Sequence, residues 1–236
     1  MLIPTMNPVL IAAAVIPAAV LFWFIYKSDR AEKEPLGMLL SLVFFGIIST
    51  LLALAAEKLG TLILDLLFRK NSLIYALLLY FVVVALSEEG FKYLLLRWRT
   101  WRSAEFNYQF DGIVYAVAVS LGFALWENLS YVAIYGLSTA LIRAVTAVPG
   151  HACFGVFMGA WYGFAKKYDK QRNHALSRLC RFLALLIPVL LHGTYDFIAS
   201  LESGFFSLIF VVFVAAMFVV AFITVRRRSK RDRYIG

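Results

Sequence analysis

Seven apolar runs constrain this chain more than any other feature. Each approaches or exceeds the roughly 20 residues that a helix needs to cross a bilayer. They fall at about 8–26, 37–56, 72–96, 111–134, 138–165, 179–199 and 205–225, with ends uncertain by a few residues. In hydrocarbon, every backbone N–H and C=O must find its partner within the spanning structure, which leaves only helices and closed barrels. Continuous apolar runs of this length belong to helices. The expected fold is therefore all-α: a polytopic transmembrane helical bundle of about seven spans. It is expected to form one domain over residues 1–236, with no soluble domain. Composition agrees, since 62% of residues are hydrophobic and the mean hydropathy is +0.81. The first run is long for a signal peptide and lacks a basic start, so it reads as a retained helix.

The formal charge of +9 does not point to nucleic acid. The basic residues sit beside the spans, where anionic lipid and the positive-inside rule account for them. Lys27, Arg30 and Lys33 follow the first span, Arg97, Arg99 and Arg102 the third, and Lys166, Lys167, Lys170, Arg172, Arg178 and Arg181 the fifth. Arg226, Arg227, Arg228, Lys230, Arg231 and Arg233 follow the last, where they read most simply as a stop-transfer anchor. All lie on one face of a seven-span arrangement, and the other face carries only Lys58, Arg69 and Lys70. The expectation is an N-terminus outside and a C-terminus inside. Segment 57–70 is polar at its ends and apolar between, and is too short to span, so it is expected to lie at the outer interface as an amphipathic helix. Cys153 and Cys180 are far apart in setting and show no metal-type spacing, so no disulfide is expected.

Ionisable residues inside spans are costly and mark function by default. The third span holds Ser87-Glu88-Glu89-Gly90-Phe91-Lys92. Lys92 can reach Glu88 or Glu89 across a helix turn, but one ammonium does not neutralise two carboxylates. The surplus acid is a candidate general base. The fourth span carries Gly112, Ala116, Ser120, Ala124 and Asn128 at every fourth position, a small-residue stripe that lets another helix approach. Glu127 stands beside that stripe with no basic residue in its own turn, so its partner must come from another span. The fifth span places His151, Gly155, Gly159 and Gly163 on one face, after Pro149. The sixth repeats the device with Pro188, His192 and Asp196, and Asp196 can fix the imidazole tautomer. Tyr131, Tyr135, Tyr195, Trp126 and Trp161 read as interface or packing residues. Arg143 reads as a snorkelling residue with no assigned role, and His174 as solvated. Counting about 1.5 Å per residue places Glu88, His151 and His192 in one layer near the midplane. The same count puts Glu127 about 24 Å from Asp111, towards the outer leaflet and out of level with the others.

With these residues in place, the chain resembles the PrsW family of intramembrane proteases. The matching elements are Glu88-Glu89-x-x-Lys92, Asp111-Gly112 leading to Phe123-x-x-x-Glu127-Asn128, His151-x-x-x-Gly155, and His192-Gly193-x-Tyr195-Asp196-Phe197. The match covers about Glu88 to Phe197, within a protease-like core of about 72–199. More distant relatives are the CAAX prenyl endopeptidases (CPBP proteins) and a scaffold subunit of gamma-secretase. The resemblance implies a protease of the bacterial cytoplasmic membrane that cuts a membrane-anchored protein substrate, the best-known case being an anti-sigma factor in stress signalling. It implies catalytic Glu88 and Glu89, with Glu127, His151 and His192 as further essential residues. Lys92, Asn128 and Asp196 are supporting candidates.

Two mechanisms suit this set. In one, no cofactor is required: a glutamate deprotonates water, and His151 and His192, with Asn128, stabilise the oxyanion. In the other, zinc is held by His151, His192 and Glu88 or Glu127. The metal-free version is placed first, because no helical His-x-x-x-His motif is present. Two non-protease readings stand beside these: a scaffold subunit in which the polar residues only hold the bundle, and a proton-coupled transporter, which the absence of an internal repeat disfavours.

Overall fold

The computed structural model describes residues 8–201 and 203–235. These residues form an all-helical bundle with seven helical spans long and apolar enough to cross a membrane. In order the elements are α1 (Pro8–Ser28), α2 (Leu36–Leu67), α3 (Leu73–Leu77), a π-helical segment (Leu78–Ala85), α4 (Leu86–Thr100), α5 (Asp111–Tyr135), α6 (Leu137–Val145), α7 (Ala147–Lys170), α8 (His174–Ala199) and α9 (Gly204–Lys230). α3, the π segment and α4 run on as one span, Leu73–Thr100. α6 and α7 together occupy the fifth apolar run.

α5 is the central helix. Its residues Asp111 to Ala124 are all buried, and its apolar character extends all round, as a core helix requires. It contacts α1, α2, α4, α6 and α7. The small stripe on α5 meets the glycine ladder of α7. A Cβ at Gly112 would stand 2.6 Å from the carbonyl oxygen of Gly159 and 2.7 Å from the amide nitrogen of Gly163. Both obstacles are backbone, so only glycine permits this approach. The outer helices show lipid-type surfaces, with Leu40, Phe44, Val211 and Val219 all exposed.

Four expectations change. Segment 57–70 is not a separate interfacial helix. α2 continues unbroken to Leu67, over 32 residues, because 57–67 keep helical propensity and no Pro intervenes. The fifth span, drawn as one run, is two helices divided just before Pro149. The residue cannot donate to the carbonyl of Val145, and the helix breaks at Thr146 (φ −119°, ψ −74°). The basic tail is docked: Ile235 N–H donates to Asn107 O at 2.6 Å and Gln109 N–H to Arg233 O at 3.1 Å. Finally, Glu127 is not out of level with the other polar residues: its Oε2 lies 2.8 Å from His151 Nε2. α7 reaches Lys170 and α8 starts at His174, so both extend further towards the basic loops than their apolar runs suggest. His192 lies about 27 Å along α8 from its basic end and about 10 Å from the other. Glu127 lies about 12 Å from the far end of α5. Glu88 lies about 18 Å from Thr100 at the basic end of its span and about 22 Å from Leu73 at the other, and Glu127 is level with the layer.

Candidate active site

The π segment ends just before Glu88. A π turn inserts one residue into the helical register and often occurs at functional sites. Here it precedes the turn that carries Glu88, Glu89 and Lys92, all buried. Lys92 Nζ lies 2.7 Å from Glu89 Oε1 and 3.2 Å from Glu88 Oε2. It also lies 3.1 Å from His151 Nδ1, and 3.8 Å from the centroid of the Phe123 ring.

Each histidine is gripped from both sides. His151 Nε2 lies 2.8 Å from Glu127 Oε2, while Nδ1 faces Lys92. His192 Nε2 lies 3.3 Å from Asp196 Oδ2, while Nδ1 lies 3.0 Å from Glu89 Oε1 and 3.8 Å from Glu88 Oε2. The two rings are 5.4 Å apart and perpendicular, and Phe154 stacks on His192 at 4.7 Å. An outer carboxylate on one ring nitrogen, with the other turned inward, is the arrangement that orients imidazoles in metal and catalytic centres. With carboxylates on both sides, His192 satisfies both only by carrying two N–H groups, or by turning a bare Nδ1 to a metal.

The structure brings Glu88, Glu89, Glu127, His151 and His192 together, with Lys92 at their centre and Asp196 behind His192. Asn128 stands elsewhere. Its amide donates to Ala14 O at 3.0 Å and its Oδ1 accepts from Arg143 Nε at 3.1 Å. It ties α1 to α5 and is not placed to touch an oxyanion. Arg143 is the residue that sequence reasoning missed. Gly136, at φ +80°, turns the chain so that α6 folds back along α5. The guanidinium then reaches Glu127 Oε2 at 2.8 Å and covers the Tyr131 ring at 4.1 Å. The signal for it was the unpartnered Glu127. Glu57 and Tyr195 were also passed over, and both line the cavity described next.

A cavity of about 670 Å³ opens beside this centre. Glu88, His151, His192, Glu127, Arg143 and Asp196 all line it, whereas Glu89 and Lys92 do not. Glu89 and Lys92 are 0% exposed, against 6% for Glu88. The two adjacent glutamates therefore have different settings. One faces the cavity, and the other is locked behind it between Lys92 and His192.

The donor chemistry fits a metal. Glu88, Glu89, His151 and His192 each offer one ligand atom, all within 4.8 Å of one another. Glu89 Oε2 is buried without a hydrogen-bond partner. Five carboxylates (Glu57, Glu88, Glu89, Glu127 and Asp196) border the centre and its cavity against two cations, Lys92 and Arg143, so there is negative charge to spare for a divalent ion or for protons.

A membrane bundle with a buried Glu/His centre beside a cavity of this size fits the class of intramembrane hydrolases. The chain matches the family described as PrsW family intramembrane metalloprotease over residues 34–223. It is 36% identical over 230 residues to the protein named Protease PrsW of Halalkalibacterium halodurans, covering 95% of this chain and 99% of that one. It is 32% identical over 227 residues to Protease PrsW of Oceanobacillus iheyensis (94% and 96% covered), and 33% identical over 208 residues to that of Bacillus subtilis (87% and 90% covered). No solved structure matches. The chain belongs to the PrsW family of intramembrane proteases, and so is a multi-pass membrane peptidase of a bacterial family, acting on protein in the membrane.

Proposed function

We propose that this chain is an endopeptidase that cuts a membrane-anchored protein of the anti-sigma-factor kind, using a water activated by Glu88. The observation that carries the reading is the convergence of Glu88, His151 and His192 on one cavity wall, each imidazole held from outside by its own carboxylate. The substrate class rests on family membership and the membrane setting.

Glu88 takes the proton from water, because it is the glutamate of the pair that lines the cavity. Glu89 stays charged behind it and holds Lys92 and His192 in place. Glu127 and Asp196 fix which ring nitrogens of His151 and His192 face inward. His192, with a hydrogen on each ring nitrogen, stabilises charge developing on the scissile carbonyl, while His151, whose inward Nδ1 accepts from Lys92, fixes that ammonium. Arg143 keeps Glu127 in position, and Asn128 keeps Arg143 in position.

Glu89, His151 and His192 would hold a zinc-type ion and leave Glu88 as the base, and the family description favours this over the metal-free version placed first from the sequence. When bound, such an ion polarises a carbonyl and makes water a stronger nucleophile. Lys92 Nζ stands among the same donors, so an ion and the ammonium compete for the centre.

The test is cleavage of a membrane-tethered substrate by the purified chain in liposomes, before and after a strong chelator and again after zinc. Loss on chelation with recovery on zinc supports the metal version. Full activity after metal removal leaves the Glu88 mechanism metal-free. Undiminished cleavage by Glu88→Gln excludes both.

A further inference from the structure

A second buried acidic group lies at the other end of the bundle, among the basic loops. Asp29 follows α1, Glu34 precedes α2, and Asp111 begins α5. Their carboxylate oxygens lie within 4.8 Å of one another, and the three residues are 1%, 4% and 1% exposed. Along the sequence they look like unrelated loop acids. The fold gathers them because the link from α1 to α2 crosses the N-terminus of α5.

Two of the three are partly satisfied. Asp111 Oδ2 accepts from the backbone N–H of Asn107 at 3.0 Å and of Tyr108 at 2.7 Å. Glu34 accepts from the hydroxyl of Tyr115. Asp29 is different: it is almost fully buried, it faces the other two, and neither of its oxygens has a hydrogen-bond partner. Asp232 on the docked tail adds a fourth carboxylate nearby. Its Oδ1 accepts from Phe110 and Arg233 N–H, and its Oδ2 is unbonded. Lys33 lies close, yet its ammonium donates to the backbone carbonyls of Tyr26 and Asp29. Buried charges persist when they are paired or coordinate a metal, and here pairing is incomplete.

We infer that Asp29, Glu34 and Asp111 form a binding site for a hard divalent cation, magnesium or calcium. Every donor in the group is oxygen. Sulfur and imidazole, which select zinc and copper, are absent from it, and oxygen-only sets suit magnesium and calcium. Arg30 and Glu32 beside the group are exposed, which gives the ion a route from water. The bound ion ties the α1–α2 link to the start of α5, next to the docked tail. This site is separate from the catalytic centre and does not depend on the mechanism above. The rival account is that the three acids simply share protons.

The experiment uses the full chain in detergent, stripped with EDTA and then exchanged into chelator-free buffer. Adding magnesium or calcium raises the melting temperature by about 5 °C or more at saturation. The half-saturating concentrations say which ion is preferred. Asp29→Asn and Glu34→Gln lose that rise, and Glu88→Gln retains it, which separates this site from the catalytic one. If Asp29→Asn does not fold, terbium bound to the parent gives the answer. Its emission, excited through the aromatic side chains nearby, should saturate, be displaced by calcium or magnesium, and fall several-fold in Glu34→Gln. A melting temperature indifferent to both cations overturns the inference in favour of shared protons. A shift that survives in both acid variants, or emission undiminished in Glu34→Gln, also overturns it.

Discussion

Glu127 Oε2 lies 2.8 Å from His151 Nε2 across the seam between α5 and α7. The carboxylate therefore holds His151 with Nδ1 turned inward. Removing such an outer partner typically costs 10–100-fold in activity or metal affinity. Glu127→Gln should lower kcat by about that factor and change KM little. Arg143 keeps its bond to Asn128, so the variant should still fold. A kcat within twofold of the parent would show that Glu127 does not position the imidazole.

Arg143 donates from Nε to Asn128 Oδ1 and pairs through Nη2 with Glu127, a charge contact without hydrogen-bond geometry. A lysine offers a single ammonium and does not reproduce that fork. Arg143→Lys should therefore behave like Arg143→Met, each cutting kcat about tenfold or more. If lysine restores parent-level cleavage, positive charge alone is what the site needs.

Glu88 and Glu89 should separate in one pair of assays. Glu88 lines the cavity and holds Lys92 at the longer distance, so Glu88→Gln should abolish cleavage and lower the melting temperature less than Glu89→Gln does. Glu89 is the closest carboxylate to Lys92 and is fully buried. Breaking a buried pair costs about 3–5 kcal/mol. Glu89→Gln should thus lose both stability and cleavage, and the thermal melt reads this directly. Equal melting temperatures for the two variants would remove the distinction between base and positioning residue.

Gly112 and Gly159 meet backbone to backbone. A side chain there has no flexible neighbour to displace, and overpacking costs about 1–3 kcal/mol or more. Gly159→Val should lower the melting temperature and the yield of folded protein. Gly204→Val, where a Cβ meets nothing within 4 Å, is the matched control. Equal stability of the two would deny that the α5–α7 seam needs glycine.

The spans were legible because their signal is local: length and hydropathy alone mark them. The α5–α7 seam was legible because the small stripe and the glycine ladder both repeat at helical spacing. Asp196 was legible because it sits one turn from His192. Arg143 was not, because its partner is reached only through the left-handed turn at Gly136. Glu57 was hidden by a segment whose polar ends looked like helix boundaries but which α2 simply runs through. The group of Asp29, Glu34 and Asp111 is wholly a product of tertiary folding. The level of Glu127 was misread because α8 starts at His174, before its apolar run, so His192 lies further from the basic end than the run suggests.

The most direct measurement compares protein N-termini in membranes that carry the parent chain, the Glu88→Gln chain or neither. The account predicts new N-termini, within or beside the spans of a small set of membrane-anchored proteins, that appear only with the parent. The same N-termini in the Glu88→Gln membranes, or none with the parent, would contradict it.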